Sequence, residues 1–431
     1  MKHAHILTLL ISVSALTTHA QDIREQEVKR ILSTLAADDM EGRKTFEPGI
    51  EKAARFLENE FTKAGLQPLA GATNFRQAFH RYNTTPGPRQ VHVGKAEIRA
   101  ERVIVLGVAP AIDWNQNSDV DVQTLPASEQ FYDYLRKLRD VKKNTLVWVD
   151  TAHTDDFNKF YENLQQKGSK NLDSLPSVVL VLKQAEDTDL KTWDVKASQQ
   201  VTPLYLSNIV GMIRGKTKPD EYVIFSGHYD HLGIVKPVGK DSIANGADDD
   251  ASGVTAVVML AKYYKQHPPA RSLIFVAFTA EEIGGYGSRY FSQKQDPDKV
   301  VAMFNIEMIG KESKFGKNSA FITGYERSDF GKILEKNLQN SIFHFYPDPY
   351  PEQSLFYRSD NATLARQGVP AHTISTDQID SDKLYHSVGD EVSTLDIKNI
   401  TSTIQAIAIS ARSIVAGTDT PARIDKEGLK R

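Results

Sequence analysis

The chain contains no cysteine in 431 residues. Disulfides are therefore excluded, and so is the thiol that a bacterial lipid anchor requires. Stability must come from core burial and from any bound metal. Beyond the first twenty residues, no apolar run approaches the length of a membrane span. Excess positive charge is missing as well: 52 Lys and Arg stand against 55 Asp and Glu, a formal net charge of −3, with a pI near 6.5. Without a basic field, nucleic acid is not an expected partner. A Gly-x-Ser-x-Gly elbow is absent, which disfavours a serine hydrolase. No internal repeat or low-complexity tract is present.

What remains is ordinary globular composition, 40% hydrophobic and 25% charged. It is enough for a large core and roughly two domains. Residues 1–20 read differently: Lys2 supplies a positive start, residues 6–16 an apolar core, and Thr18-His19-Ala20 a small-residue cleavage site. This is the pattern of a signal peptide and is too short to span a membrane. The expected mature chain starts near Gln21 with a charge of −4 (51 basic minus 55 acidic). It is expected to be secreted or periplasmic and free of membrane once the signal is removed.

Residues 21–69 read as helical, with apolar positions at Leu32, Leu35 and Ala36 and again at Ala53, Phe56, Leu57 and Phe61. Asp38-Asp39-Met40-Glu41-Gly42-Arg43 breaks the two helices and Gly65 closes the second. Residues 70–204 have another texture. Short strand-like runs (91–93, 102–108, 145–149, 177–181) are separated by polar stretches at 113–121 and 165–173, with helix near 129–139. This is read as a smaller, strand-containing insertion. From 205 to 418 strands and helices alternate. Strands are expected at 207–213, 222–225, 272–279, 300–309, 319–323 and 370–375, and helices at 253–266, 329–339, 359–367 and 395–415, before a tail at 419–431. The predicted fold is α/β, a three-layer arrangement with a mixed, mostly parallel sheet and helices on both faces. Ligands in such sheets bind at the carboxyl ends of strands.

The candidate chemistry collects at those ends. His228 follows the strand at 222–225, and Asp230 is placed to orient an imidazole. Asp248-Asp249-Asp250 precede the helix at 253. Glu281-Glu282 follow an apolar strand, Glu307 interrupts another, and His386 precedes the closing helix. Taken singly, His228 reads as a hydrogen-bonded structural histidine, the aspartate triplet as a helix-capping loop and Glu281-Glu282 as surface charge. Glu307 resists that reading, because an unpaired carboxylate in an apolar strand is costly. Together, two imidazoles and three carboxylates suit zinc, with one carboxylate shared between two ions. Two metals about 3.5–4 Å apart can polarise a carbonyl and hold a hydroxide, and a spare glutamate can serve as general base.

Five segments carry a resemblance: Gly227-His228-Tyr229-Asp230-His231-Leu232-Gly233, Asn245-Gly246-Ala247-Asp248-Asp249, Ala280-Glu281-Glu282, Asn305-Ile306-Glu307-Met308-Ile309-Gly310 and Tyr385-His386-Ser387. They resemble the secreted zinc aminopeptidases of metallopeptidase family 28, as does Asp39-Met40-Glu41-Gly42-Arg43. Glutamate carboxypeptidase, glutaminyl cyclase and the inactive transferrin receptor belong to the same family. The resemblance covers residues 25–69 and 205–415. It implies two zinc ions per chain bridged by Asp248, with His228 and Glu307 on one and Glu282 and His386 on the other. It also implies Glu281 as general base, Asp230 as the group orienting His228, and Tyr385 as a phenol stabilising the oxyanion. A cis peptide is implied between Asp248 and Asp249. Tyr357, Arg358, Asp360 and Asn361 fall in a segment that shapes substrate binding in relatives, with a helix N-cap by Ser359 as the plainer alternative.

Two positions depart from the family pattern: Glu307 stands where aspartate is usual, and Asn361 where histidine is frequent. The insertion at 70–204 occupies the place where relatives carry a protease-associated-type domain. The expected function is a zinc-dependent exopeptidase, an aminopeptidase acting on peptide substrates through a hydroxide held between two zincs. Its competitors are a one-zinc glutaminyl cyclase, a carboxypeptidase, for which Arg358 is the available cation, and a binding module with a dead site. Oligomeric state and preferred side chain are not readable.

Overall fold

A computed structural model describes residues 23–138, 141–172, 176–184 and 190–429; the expected signal peptide lies outside them. The chain divides into two compact units, residues 1–77 with 207–431, and residues 78–206.

The first unit is built on a central sheet. Its strand order is His344–Pro347, Ser319–Ile322, Ala371–Ser375, Val300–Ile306, Lys218–His228, Arg271–Phe278 and the 207–213 end of Trp193–Ile213. Four of these six pairings are parallel and two antiparallel. The central strands are buried along their whole length, which is why they read as continuous apolar runs rather than alternating ones. Alternate residues nevertheless feed two cores. Val223, Phe225, Leu273 and Phe275 face the helices Glu25–Leu35, Pro48–Lys63, Gly253–Gln266 and Ile397–Ser410. Ile224, Ile274, Val276 and Phe278 face the opposite layer, with Phe291 and Leu364. Across the sheet Phe225 stacks on Phe275 and Phe304, with ring centroids 5.6 and 4.9 Å apart.

Several elements were not foreseen. The helix Tyr286–Gln293 and the hairpin Gly233–Val238 with Asp241–Ala244 fall in stretches rich in glycine and polar residues, where periodicity is weak. The closing helix is interrupted at Ala411, ending at Ser410 and resuming as Arg412–Val415.

The second unit has a four-stranded sheet ordered Val103–Leu106, Val178–Leu182, Thr145–Val149, Asp121–Leu125. The first pair is antiparallel and the other two are parallel. The helix expected near 129–139 is Phe131–Lys137. Two stretches expected to be loops contain regular structure: Ala111–Asn115 is a strand, and Thr154–Lys167 is a helix that runs into the polar stretch at 165–173. Both are polar on one side, and pairing or packing of the other side decides their conformation.

Among the described residues, no helix is long and apolar enough to cross a membrane.

Candidate metal centre

Parallel strands bring the key side chains to one edge of the sheet. His228 is the last residue of Lys218–His228. Glu281 and Glu282 follow Arg271–Phe278 by a short turn, and Glu307 comes one residue after Val300–Ile306. His386 lies between the strand Ala371–Ser375 and the closing helix. The chain bends sharply beside three of these positions. Ala280, Met308 and His386 have φ of 59°, 51° and 54°, a left-handed region that non-glycine residues seldom occupy. Such positions cost about 1–3 kcal/mol each and persist where the surroundings over-determine them.

The centre of the cluster is Asp249. Its Oδ1 lies 3.1 Å from His228 Nε2 and its Oδ2 3.2 Å from His386 Nε2. Glu282 Oε2 is 3.2 Å from the same His386 nitrogen. His228, Asp249 and Glu307 form one group able to hold an ion, and His231, Asp249 and Glu282 a second, so Asp249 is common to both. The position expected of Asp248 is therefore occupied by Asp249. Asp248 points elsewhere: its Oδ1 accepts from the Gly310 N–H at 2.7 Å, and its Oδ2 lies 3.3 Å from Lys311 Nζ. The cis peptide is likewise one residue later than expected, between Asp249 and Asp250.

The third aspartate has a structural task. Asp250 accepts from the backbone N–H groups of His228 (3.0 Å), Gly253 (3.1 Å) and Met308 (3.2 Å), tying three loops together. The packing around it needs glycine. A Cβ on Gly253 would fall 2.1 Å from the Ile306 carbonyl oxygen, and one on Gly227 would fall 2.7 Å from Asp250 Oδ2. Asp390 accepts from the N–H groups of both Asp248 and Asp249, at 2.9 and 3.0 Å. Arg43 is wholly buried and donates to the carbonyls of Leu35, Tyr229, Asn245 and Gly246. The Asp39-to-Arg43 segment thus clamps the loop that carries Asp249. Neither Arg43 nor Asp390 was assigned a role from the sequence, since each acts through backbone groups that no motif displays.

Asp230 was expected to orient His228. The imidazole Nδ1 instead meets the Asp230 backbone carbonyl at 3.1 Å, with the nearer carboxylate oxygen 3.9 Å away. The carboxylate accepts from the Glu281 N–H (3.0 Å), the Glu282 N–H (3.3 Å) and Thr45 Oγ1 (3.1 Å). It therefore orients the two glutamates more directly than the histidine.

Burial and crowding shape the charges. Burial raises the Glu281 carboxyl well above the usual range, reinforced by the negative charges of Asp360, Glu307 and Glu282 and opposed by His228. Burial also raises Glu307. For Asp249 burial pulls upward, but hydrogen bonds from His228 and His386 hold the carboxylate well below its ordinary value. His386 is pushed up to about 10 by its bonds to Asp249 and Glu282. Several carboxylates sharing one buried space is the electrostatic condition that a divalent cation relieves. The donor set of imidazole nitrogens and carboxylate oxygens fits zinc.

Glu307, one methylene longer than the family's usual aspartate, still reaches the cluster. Its Oε2 accepts from Ser359 Oγ and lies 3.5 Å from Asn305 Nδ2. Ser359 is thus spent on Glu307, and the N-cap of helix Asn361–Ala365 is Asp360. Beside Glu307 opens a cleft lined by Met308, Phe321, Leu355 and Ile379 together with Arg358, Asp377 and Tyr385. Of the expected substrate-binding residues, Arg358 lines this cleft. Asn361 does not: it is buried, donates to the Phe356 and Ala371 carbonyls and accepts from Thr373 Oγ1. Asp360 is buried, and Tyr357 packs against Phe356 under the Arg327 guanidinium.

A mixed, mostly parallel sheet with acids and imidazoles converging at its strand ends defines a site able to hold metal ions. Residues 208–410 match the family model for peptidase family M28. A probable zinc metalloprotease of Pyrenophora tritici-repentis is 34% identical over 112 residues, 26% of each chain. The match thus spans about a quarter of that relative's length. An aminopeptidase from Aneurinibacillus sp. strain AM-1 shares the fold with a TM-score of 0.53 at 16% identity, covering 95% of this chain and 98% of its own. BSAP, a zinc aminopeptidase from Bacillus subtilis, does so at 0.53 and 14%, covering 92% and 97%.

Proposed function

We propose that the protein is a zinc-dependent exopeptidase, an aminopeptidase that removes N-terminal residues from peptides at a two-ion site. The observation that carries this reading is Asp249, whose two oxygens face two different histidines, with Glu307 on one side and Glu282 on the other. That is the arrangement of a carboxylate shared by two ions. His228 and Glu307 would hold one ion, Glu282 and His386 the other, and Asp249 both. Zinc bound there would polarise the scissile carbonyl and lower the pKa of the attacking water.

The remaining steps fall to the chain itself. Glu281 stands outside the two groups that share Asp249, and its amide is fixed by Asp230. A carboxylate so placed can take a proton from the attacking water at one oxygen and return it to the leaving amine. Burial pushes the Tyr385 phenol upward, so its O–H stays protonated and able to donate to the oxygen that becomes negative. The cleft beside Glu307, lined by both apolar and polar side chains, would receive the side chain of the first residue. The proposed location is outside the cytoplasm, in keeping with the signal-like first twenty residues.

The test is a panel of free-amine and N-blocked aminoacyl substrates with and without a chelator. Cleavage of free-amine substrates alone, lost on chelation and restored by zinc, is expected. Equal cleavage of N-blocked substrates would exclude the aminopeptidase reading. Cyclisation of N-terminal Gln without hydrolysis would favour the cyclase. Glu281→Gln is expected to lower kcat by about 10²–10⁴-fold while zinc binding is kept.

A further inference from the structure

We propose that His231 is a positioning residue for Glu282, its Nδ1–H holding one carboxylate oxygen so that the other is presented to the metal; this rests on the two-ion reading above. His231 Nδ1 lies 2.8 Å from Glu282 Oε1, while Glu282 Oε2 lies 3.2 Å from His386 Nε2. The two oxygens of one carboxylate therefore face two different imidazoles. His386 Nε2 also lies 3.2 Å from Asp249 Oδ2, whereas His231, which groups with Asp249 and Glu282, is at hydrogen-bonding distance from Glu282 and 3.7 Å from Asp249.

The ring of His231 is fixed on every side. It is buried, its backbone N–H donates to the Arg43 carbonyl at 3.2 Å, and it pairs with Lys44 through an isolated bridge. Gly246 lies against it so closely that a Cβ there would fall 2.5 Å from the ring Cγ. Its Nε2 is buried without a hydrogen-bond partner. A carboxylate oxygen can only accept, so the contact at Nδ1 is an N–H donated to Glu282, while Nε2 has no partner. Asp249 Oδ2, at 3.7 Å from Nδ1, is beyond hydrogen-bonding reach. Glu282 is thus held at its backbone by Asp230 and at its tip by His231. Groups behind a ligand carboxylate that hydrogen-bond it set its orientation and basicity, and their loss typically weakens metal binding about 10–100-fold.

Zinc titration of the full chain, by calorimetry and by competition with a chromophoric chelator, tests this on wild type, His231→Asn, His231→Gln and His231→Ala. An asparagine amide nitrogen falls near the place of Nδ1, and that of glutamine near Nε2. Wild type is expected to take two ions. His231→Ala is expected to bind one ion normally and the other about 10–100-fold more weakly. His231→Asn is expected to recover most of that loss and His231→Gln little of it. Wild-type affinity in His231→Ala overturns the inference, and so does His231→Asn binding as weakly as His231→Ala. Wild type taking fewer than two ions overturns the two-ion reading instead. Should His231→Ala fail to fold, as judged by its zinc-free melting transition, the contrast between Asn and Gln decides.

Discussion

Three adjacent aspartates do three different things. Asp249 faces the histidines, Asp248 faces Gly310 and Lys311, and Asp250 gathers three backbone N–H groups. The substitutions Asp248→Asn and Asp249→Asn are nearly identical in size, so they separate these tasks. Asp249→Asn is expected to abolish measurable binding of both zinc ions in a titration. Asp248→Asn should keep both and lose about 1–3 kcal/mol of stability in denaturant unfolding, since a buried acceptor set is disturbed. The opposite ranking would return the bridge to Asp248. Tyr385→Phe, which removes only the phenol oxygen, is expected to lower kcat by about 10²–10³-fold with little change in KM, as for loss of one oxyanion donor. A change in KM alone would remove the phenol from the reaction step.

At the scale of elements, the site depends on loops tied to one another rather than on any single helix or strand. Arg43 donates to four carbonyls, those of Asn245 and Gly246 in the loop at 245–249, of Leu35 at the end of the first helix and of Tyr229 beside His228. A lysine has three donors and no planar fork. Arg43→Lys is therefore expected to cost about 1–3 kcal/mol in denaturant unfolding and to weaken zinc binding with it. Unchanged zinc affinity would show that the clamp does not reach the site. The strand Ala371–Ser375 carries a different dependence. His372 is buried, stacks on Phe330, donates from Nδ1 to the Thr323 carbonyl at 2.9 Å and accepts at Nε2 from Ser328. Burial lowers its pKa from 6.5 to about 4. The unfolded chain then binds a proton that the folded chain refuses. The stability this residue contributes is present above pH 6.5 and lost as pH falls from 6.5 towards about 4. His372→Asn should flatten that part of the pH–stability curve, measured by denaturant midpoints at closely spaced pH values. An unchanged slope would rule it out.

On the proposed reading, the whole first unit is linked to zinc by mass action. Burying Glu281 and Glu307 among the other carboxylates costs stability in the absence of a cation, because burial and repulsion raise both. Free zinc at about 1,000 times the dissociation constant stabilises by about 4.1 kcal/mol per ion. The melting temperature of wild type should rise with zinc and fall with chelator. That of Asp249→Asn should respond to neither, and a response would place the ions elsewhere. The second unit, residues 78–206, keeps separate apolar cores around Val91, Leu146 and Trp193 and around Phe131, Phe157 and Leu180.

Much of this was legible in the amino-acid order. Buried parallel strands show as apolar runs, so Arg271–Phe278 and Val300–Ile306 stand out, and acids at their ends mark where chemistry collects. The helices Gly253–Gln266 and Ile397–Ser410 are visible by period alone. The part near Asp249 was not. Neighbouring aspartates are chemically equal until backbone dihedrals aim them, and a turn with Asp249 at φ −101° and Asp250 at φ −124° decides which one faces the histidines. The tasks of His231, Arg43, Asp390 and Ser359 were equally hidden, because their partners lie 51 to 203 positions away, or are backbone atoms that carry no sequence signal. Residue type and strand pattern therefore determined the class of fold and the inventory of donors. Tertiary structure alone determined which donors meet, since a carboxylate becomes a shared ligand only where the folded backbone points its two oxygens at two different imidazoles.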